Sequence, residues 1–271
     1  MNGLFSEILR GSWLIDMPNV SLYKALAISL LSGNTQEKQL KPFAYEVLSQ
    51  EEYSSSGDIQ KVNQVAVISM INEMTKYGGA CTYGAVDFVS KIREANSNDD
   101  IKGIIIFLDG PGGNADSITL FQSLKSEMKK PVVALVDRAC SLHYWIACIL
   151  ADHIMLGNDF QAECGSIGAM IMFSKPKEEI IIIRPPESKD KNQGIVNALE
   201  GDYKILEDKL SILSQRFIKE VTEARPNIKD EALHGKTFLG KEAIDMGLAD
   251  SIGDINKAYE LVLIKSELSK L

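Results

Sequence analysis

The sequence predicts an α/β protein in which strands and helices alternate along most of the chain. Short apolar runs recur between residues 65 and 183, and segments with a helical spacing of apolar residues separate several of them. A glycine-rich loop directly follows one of these runs. Apolar runs without polar alternation are typical of strands in a parallel sheet that is buried on both faces. Folds of this class carry their chemistry on loops at the carboxyl ends of the strands.

The individual elements follow from the spacing of apolar residues. Continuous or alternating apolar runs bounded by turn residues predict strands, and apolar residues three or four positions apart predict helices. We expect strands at residues 65–71, 103–108, 131–136, 153–156, 167–173 and 180–183, and helices at residues 85–95, 115–128, 141–150 and 206–224. The last helix ends at Arg225-Pro226, and its single apolar stripe is typical of core packing or of a subunit interface.

The first sixty residues do not share this alternation. Residues 4–14 and 23–31 are each expected to form a short helix, and the serine-rich residues 54–57 are expected to form a linker. Divided by about 150 residues for an average domain, the 271 residues correspond to roughly two domains, or to one α/β domain with additions. We expect an N-terminal helical extension over residues 1–60, serving as a pro-segment or assembly arm, and one domain over residues 61–271.

Composition and charge argue against several classes of protein. The hydrophobic content of 45% and charged content of 24% are ordinary for a globular protein. The net charge is −8, whereas nucleic-acid-binding proteins are usually basic. The longest apolar stretch near the N-terminus, residues 25–31, is far shorter than the roughly 20 residues that cross a bilayer, and it lacks a cleavage signal. We expect an intracellular, soluble chain with no membrane anchor and no nucleic-acid partner.

The cysteines do not indicate a metal site. Cys81, Cys140, Cys148 and Cys164 form no CxxC motif and have no zinc-ligand spacing with histidine. Small buried cysteines in a reducing compartment are the better interpretation. We therefore expect neither a metal nor a cofactor.

The loop at residues 109–114 (Asp-Gly-Pro-Gly-Gly-Asn) connects a predicted strand to a predicted helix. Its glycines let the backbone approach a ligand closely, so its N–H groups could bind an oxyanion or a phosphate; a plain tight turn is the structural alternative. Gly110, Gly112 and Ala115 also match a loose dinucleotide-binding pattern, with Asp137 as the ribose-binding acid. A nicotinamide-dependent oxidoreductase is therefore a lower-ranked alternative.

Ser141 begins a predicted apolar helix directly after a predicted strand. A serine at this position is commonly a helix N-cap, but it is also well placed as a nucleophile, with the N–H of Leu142 free to bind an oxyanion. His143 is two residues away, where side chains on a helix do not face each other. A distant histidine or a neutral, buried lysine would then have to serve as the base.

Four motifs in the chain resemble those of the signal peptide peptidase A family, including its phage capsid (prohead) protease branch. They are LDGPGGNA, ACSLHYWIA followed by AD, GSIG, and GKEAIDMGLADSIG, in the same order as in that family and over residues 65–259. The resemblance implies a Clp-protease/crotonase-like α/β fold of stacked strand–helix units. It also implies a serine endopeptidase that works as a homo-oligomer.

The resemblance assigns roles to individual residues. It implies that Ser141 is the nucleophile and that the N–H groups of Gly113 and Leu142 form the oxyanion hole. Gly112 would shape the loop on the substrate side. Gly165 and Ser166 would let a strand pass close to the serine and contact substrate, although a bare turn fits these two residues equally well.

The general base that the resemblance implies is a lysine in a Lys-Asp pair beyond the GSIG segment. In this chain the pair is Lys189-Asp190, and Lys191 is the second choice. The chain departs from the family pattern at residues 110, 142 and 143, and its segment between Gly168 and Lys189 is shorter than in the family. Leu142 and His143 stand where the family has small residues, and bulk there could narrow or block the substrate channel. Gly110 replaces a serine of the family's loop.

The implied substrates are capsid or scaffold proteins that are cleaved during phage head maturation, or signal-peptide-like segments. The expected location is the cytoplasm of the host cell or the prohead. The alternative from another class is an assembly protein that keeps the fold without catalysis, and it rests on the Leu142-His143 departure. The nicotinamide-dependent oxidoreductase ranks third.

Overall fold

A computed structural model describes residues 45–78, 83–171 and 180–271, together with the backbone of residues 13–15. The strands of this part are β1 (Trp13–Ile15), β2 (Tyr45–Tyr53), β3 (Ile59–Ile71), β4 (Ile101–Gly110), β5 (Gly112–Asn114), β6 (Val132–Cys140), β7 (His153–Leu156), β8 (Glu163–Gly165), β9 (Thr237–Leu239) and β10 (Ser251–Ile252).

The same ranges of the chain contain the following α-helices. They are α1 (Ala85–Ser97), α2 (Ile118–Lys125), α3 (Leu142–Leu150), α4 (Gln193–Glu200), α5 (Lys204–Ala224), α6 (Gly240–Asp245) and α7 (Ile255–Leu268). The predicted α/β class and its strand–helix units are therefore confirmed between β3 and β7. The predicted long helix is α5, and it ends at Ala224, directly before Arg225-Pro226, as expected.

The main sheet has the order β10-β7-β6-β4-β3-β2, with β8 beside the end of β6 and β9 beside β8. All neighbours are parallel except β2 with β3 and β8 with β9. The carboxyl ends of β4 and β6 therefore lie side by side. The glycine-rich loop and Ser141 follow these two ends, which brings two of the predicted motifs to one edge of the sheet.

Both faces of the sheet are covered. The larger core packs α1, α2, α3 and α5 against one face, and α7 packs against the other over β3, β4 and β6. Ile104, Ile105 and Ile106 of β4 are all fully buried, so successive side chains of this strand enter opposite cores. Burial on both faces explains why the central strands are continuously apolar.

Two predicted strands are wrong. Residues 167–171 form no strand, because the strand that pairs with β6 comes earlier, at β8. Residues 180–183 are four isoleucines without regular structure, and their side chains are 52%, 81%, 44% and 89% exposed. An apolar run forms a strand only where a neighbouring strand takes up its backbone groups, and none within the described chain does so here. Residues 172–179 lie outside the described ranges.

The N-terminal predictions are also corrected in part. The serine-rich residues 54–57 form the turn of the β2–β3 hairpin and not a linker, since Gly57 donates its N–H to Ser54 within the turn. Residues 13 and 14 belong to a strand, not to the predicted helix 4–14, because β1 pairs with β5. The rest of that helix and the predicted helix 23–31 lie outside the described residues. The role of residues 1–60 as a pro-segment or assembly arm stays a prediction.

Candidate functional site

Ser141 lies in a strained turn between β6 and α3. Its φ of 53° and ψ of −117° belong to a region that residues with a side chain rarely adopt. The N–H of Ser141 donates to the carbonyl of Gly165 at 2.8 Å, and the residue as a whole is 2% exposed. Its hydroxyl does not cap the helix, so the interpretation of Ser141 as an ordinary N-cap is wrong. Strain of this kind costs about 1–3 kcal/mol and is typical of functional sites.

The two aromatic residues of the Ser141 motif hold α3 in place. The Tyr144 hydroxyl donates to the carbonyl of Leu248 at 2.9 Å, which ties α3 to the GLADSIG motif. The Trp145 ring stacks on Phe217 of α5 with 4.4 Å between centroids, and its indole N–H donates to Glu220 at 2.8 Å. All of α3 is buried. These contacts fix the start of the helix, and with it the position of Ser141.

The glycine-rich loop continues as strand β5 beside the start of α3. Met74 donates its N–H to the carbonyl of Gly112 and accepts the N–H of Asn114, both at 2.8 Å. A β-carbon at Gly113 would lie 2.0 Å from the carbonyl oxygen of Met74, so only glycine fits at this position. The loop is therefore more than a tight turn: Met74 holds it in an extended conformation that a side chain at Gly113 would break.

Leu142 and His143 are both buried, in contrast to the expectation that their bulk could obstruct a substrate channel. The Leu142 side chain is fully buried in the main core. Its N–H is the first of α3, where no partner within the helix is available, and no hydrogen bond to it is seen in the described chain. This amide can therefore bind an oxyanion, as the resemblance implies.

His143 has a structural role that sequence reasoning missed. Its imidazole is fully buried, and Nδ1 accepts the N–H of Gly112 at 3.1 Å. Burial, assisted by the positive charge of Arg138, lowers the pKa of His143 to about 4, so the ring is neutral at pH 7. Because Nδ1 is the acceptor, the single ring proton is on Nε2, which finds no partner in the described ranges. His143 thus anchors the loop to α3.

One contact relates two of the departures from the family pattern, His143 and Gly110. A β-carbon at Gly110 would lie 2.4 Å from both Cε1 and Nε2 of His143, and 2.6 Å from the carbonyl oxygen of Asn72. The imidazole therefore occupies the space that a side chain at position 110 would need. A ring of this size at position 143 is therefore compatible with glycine at position 110 and not with a larger residue there.

We expect the buried imidazole to make the protein less stable in acid. The unfolded state binds a proton at His143 below its ordinary pKa of 6.5, whereas the folded state does so only below about 4. The stabilising contribution is therefore complete above pH 6.5 and is lost as the pH falls towards 4, by about 3 kcal/mol in total. The measurement is urea unfolding of the wild type and of His143→Gln between pH 7 and pH 4. Parallel curves of unfolding free energy for the two proteins would contradict this assignment.

None of the three histidines is placed to act as the base for Ser141. Nε2 of His143 carries the ring proton and cannot accept another. Nε2 of His153 lies 2.7 Å from the Ser251 hydroxyl, at the edge of the sheet formed by β7 and β10. His234 is exposed and pairs with Asp230. A Ser-His-Asp triad is therefore not supported, and a lysine remains the candidate base.

The structure does not bring the two candidate lysines to Ser141 within one chain. Lys189 follows the short 3₁₀ helix Pro186–Ser188 and is exposed, and Lys191 is exposed two residues later. In the part of the chain that the structure describes, the Ser141 hydroxyl has no hydrogen-bond partner. The assignment of Lys189 as the base, with Lys191 as the second choice, stays a prediction.

The GSIG segment runs beside the strained serine. Gly165 accepts the Ser141 N–H, and a β-carbon on it would lie 2.5 Å from the carbonyl oxygen of Lys236. Ser166 has a positive φ of 55° and donates its N–H to Lys236 at 2.7 Å. The close passage of a strand by Ser141, predicted for this segment, is confirmed. Its contact with substrate stays a prediction.

The geometry does not support the dinucleotide interpretation. The N–H groups of Gly112 and Asn114 are bonded to His143 and Met74, so they form no cradle for a phosphate. The following helix α2 begins only after the 3₁₀ turn Ala115–Ser117. Within the described ranges, no three histidine, cysteine or acidic side chains are grouped to hold a metal ion.

Three of the four cysteines lie in the described ranges. Cys140, Cys148 and Cys164 are buried and form no disulfide among the described residues, which confirms the interpretation of them as small core residues. Cys81 lies outside the described ranges. Among the helices that the structure describes, none is long and apolar enough to cross a bilayer.

Comparison with known proteins identifies several proteases. The chain is 25% identical over 218 residues to Protease 4 of Haemophilus influenzae, covering 74% of this chain and 35% of that protein. It is 23% identical over 256 residues to the chloroplastic serine protease SPPA of Arabidopsis thaliana, covering 87% of this chain and 37% of that protein. It is 24% identical over 234 residues to capsid assembly protease C of Escherichia phage lambda, covering 77% of this chain and 50% of that protein.

The chain thus spans between about a third and a half of the length of these relatives. No protein-family model matches it. The glycine-rich loop, the serine segment and GSIG meet at one edge of the sheet. The named relatives are proteases, the class of protein that the four motifs resemble. The chain is therefore similar to proteases named Protease 4, SPPA and capsid assembly protease C, in agreement with its resemblance to the signal peptide peptidase A family and the phage capsid protease branch of that family.

Proposed function

We propose that the chain is a serine endopeptidase in which Ser141 is the nucleophile and Lys189 the general base. The observation that carries the proposal is the strained, buried Ser141 at the start of α3, beside an extended glycine-rich loop. A serine that capped the helix would need no positive φ. The strain is explained if the turn serves to aim the hydroxyl and the Leu142 amide at the same reacting carbonyl.

The proposed reaction has two steps. Neutral Lys189 takes the proton of the Ser141 hydroxyl while the serine oxygen attacks the peptide carbonyl, and the N–H groups of Gly113 and Leu142 bind the oxygen that becomes negative. Lys189 then gives the proton to the leaving amine as the C–N bond breaks, which leaves an acyl-enzyme. Water, deprotonated by Lys189, hydrolyses the ester and restores the serine.

Assembly into a homo-oligomer is the proposed means of bringing lysine and serine together. Residues 180–183 expose four isoleucines immediately before the segment that carries Lys189. A contiguous apolar segment of this kind is typical of a protein interface. If a second copy covers these isoleucines, Lys189 is carried into an environment shielded from water, where burial lowers the pKa of a lysine and allows it to act as a base.

The proposed substrates are capsid or scaffold proteins, cleaved in the host cytoplasm or inside the prohead. The relative that supports this substrate class is the capsid assembly protease of phage lambda, half of whose length the chain covers. Signal-peptide-like segments are the second substrate class. One relative, a protein of Enterococcus faecium named as a putative signal peptide peptidase, supports it.

The proposal is tested by acylation of Ser141. A β-lactone probe, which acylates activated serines, is incubated with the full-length protein, and the modified peptide is identified by mass spectrometry. We expect one adduct on Ser141 that is absent from Ser141→Ala. Absence of an adduct, together with no hydrolysis of an unfolded protein substrate, would contradict the proposal and favour an assembly protein on the same fold.

A further inference from the structure

The N-terminal strand β1 occupies the outer edge of the glycine-rich loop. It pairs antiparallel with β5, so that Trp13 lies opposite Asn114, Leu14 opposite Gly113, and Ile15 opposite Gly112. Nearly a hundred residues separate these two strands in the sequence. The pairing therefore brings a distant segment of the chain onto the loop that is proposed to stabilise the oxyanion.

The direction of the loop's hydrogen bonds determines which amide faces β1. Met74 uses the carbonyl of Gly112 and the N–H of Asn114, so both residues face Met74. Successive residues of a strand direct their backbone groups to opposite sides. The N–H and carbonyl of Gly113 therefore face away from Met74 and towards Leu14. Gly113 and Leu14 then form the hydrogen-bonded type of antiparallel pair, in which the N–H of each residue donates to the carbonyl of the other.

This geometry places the carbonyl of Leu14 on the amide that is proposed to hold the oxyanion. A peptide substrate whose reacting carbonyl accepted the Gly113 N–H would have to bind the same edge of β5. Gly113 has only one N–H group, so β1 and such a substrate exclude each other. A peptide added to an open strand edge gains main-chain hydrogen bonds, and a segment of the same chain does so without the cost of bimolecular association.

We infer that residues 13–15 are an intramolecular occupant of the peptide-binding edge, with Leu14 at the position of the substrate residue whose carbonyl reacts. The statement that this edge of β5 binds substrate rests on the proposed function. The pairing of residues 13–15 with that edge is a separate property, which can be measured without catalysis. Displacement of β1 is then a condition for substrate to bind. This gives the N-terminal segment a defined role as a self-bound competitor of substrate.

Amide hydrogen exchange of the full-length chain tests the occupancy. Leu14→Pro removes the N–H that bonds to Gly113, and we expect the Gly113 amide to exchange at least tenfold faster in this variant than in the wild type. The matched control is Ile15→Pro, because the Ile15 N–H faces away from β5 in this register. We expect the Gly113 amide of this control to exchange as in the wild type. The Asn114 amide, which is bonded to Met74, is expected to exchange at the same rate in all three proteins.

A peptide added in trans completes the test. A synthetic peptide of residues 10–19, in excess, is expected to restore slow exchange of Gly113 in the Leu14→Pro variant, and the same peptide with proline at position 14 is not. Equal Gly113 exchange in wild type and Leu14→Pro, or no protection by the peptide, would overturn the inference. Exchange does not require catalysis, so a failure of the proposed peptidase activity would appear separately, as the absence of a Ser141 adduct.

Discussion

Replacement of Ser141 with alanine is expected to lower peptide-bond hydrolysis by about 10⁴-fold or more, because it removes the atom that forms the acyl-enzyme. The Ser141 hydroxyl has no hydrogen-bond partner in the described chain, so the burial of this residue and the packing of α3 do not depend on it. The fold is therefore retained. The measurement is the initial rate of cleavage of an unfolded protein substrate, with circular dichroism as the check on folding.

The matched control is Ser266→Ala, a buried serine on α7, on the opposite face of the sheet. We expect its cleavage rate to remain within about twofold of the wild type, as for a substitution outside the site.

Ser141→Gly separates strain from chemistry: it is equally inactive, yet more stable than Ser141→Ala by about 1 kcal/mol, because glycine adopts the positive φ without strain. Substantial cleavage by Ser141→Ala would refute the nucleophile.

Replacement of Lys189 with alanine is expected to lower the same rate by roughly 10²- to 10⁴-fold, the usual contribution of a general base. The matched control is Lys191→Ala, which removes an equally exposed lysine two residues away. We expect the control to remain within about threefold of the wild type, because its ammonium has no role in the proposed reaction. If Lys191→Ala is inactive and Lys189→Ala is active, the base is Lys191.

A mixing experiment tests where the lysine comes from. Ser141→Ala and Lys189→Ala, each inactive alone, are unfolded together and refolded, or dissociated and reassembled. Recovery of cleavage shows that a serine of one copy works with a lysine of another, which the exposed position of Lys189 in the single chain favours. An inactive mixture places both groups in one chain, and full activity of each lysine variant would refute the dyad.

The central fold could be predicted because its signals are local. The run at residues 103–108 is apolar because β4 is buried on both faces, and the stripe of α5 faces the core at Leu206, Phe217 and Val221. The isoleucines at residues 180–183 have the same composition but no neighbouring strand, so they remain irregular and exposed. Strand formation depends on a partner for the backbone, which apolar composition does not reveal.

The residues of the candidate site could be proposed from the sequence, but the contacts that hold the glycine-rich loop beside Ser141 could not. The motifs were enough to single out Ser141, Gly113 and Leu142. The role of His143 was missed, although two signals pointed to it: a large residue replaces a small one after the serine, and Gly110 replaces a serine in the loop. Only the contact between the imidazole and Gly110 relates the two changes.

The sequence by itself determined the alternation of strands and helices and the order of the four motifs, and it was enough to propose serine chemistry. Tertiary structure alone decided that Ser141 is strained, that His143 anchors the loop, and that Leu14 lies opposite Gly113. The physical reason is the range of the interactions. Hydrophobic periodicity acts over a few neighbouring residues, whereas these contacts join segments tens of residues apart, which only the packed sheet brings together.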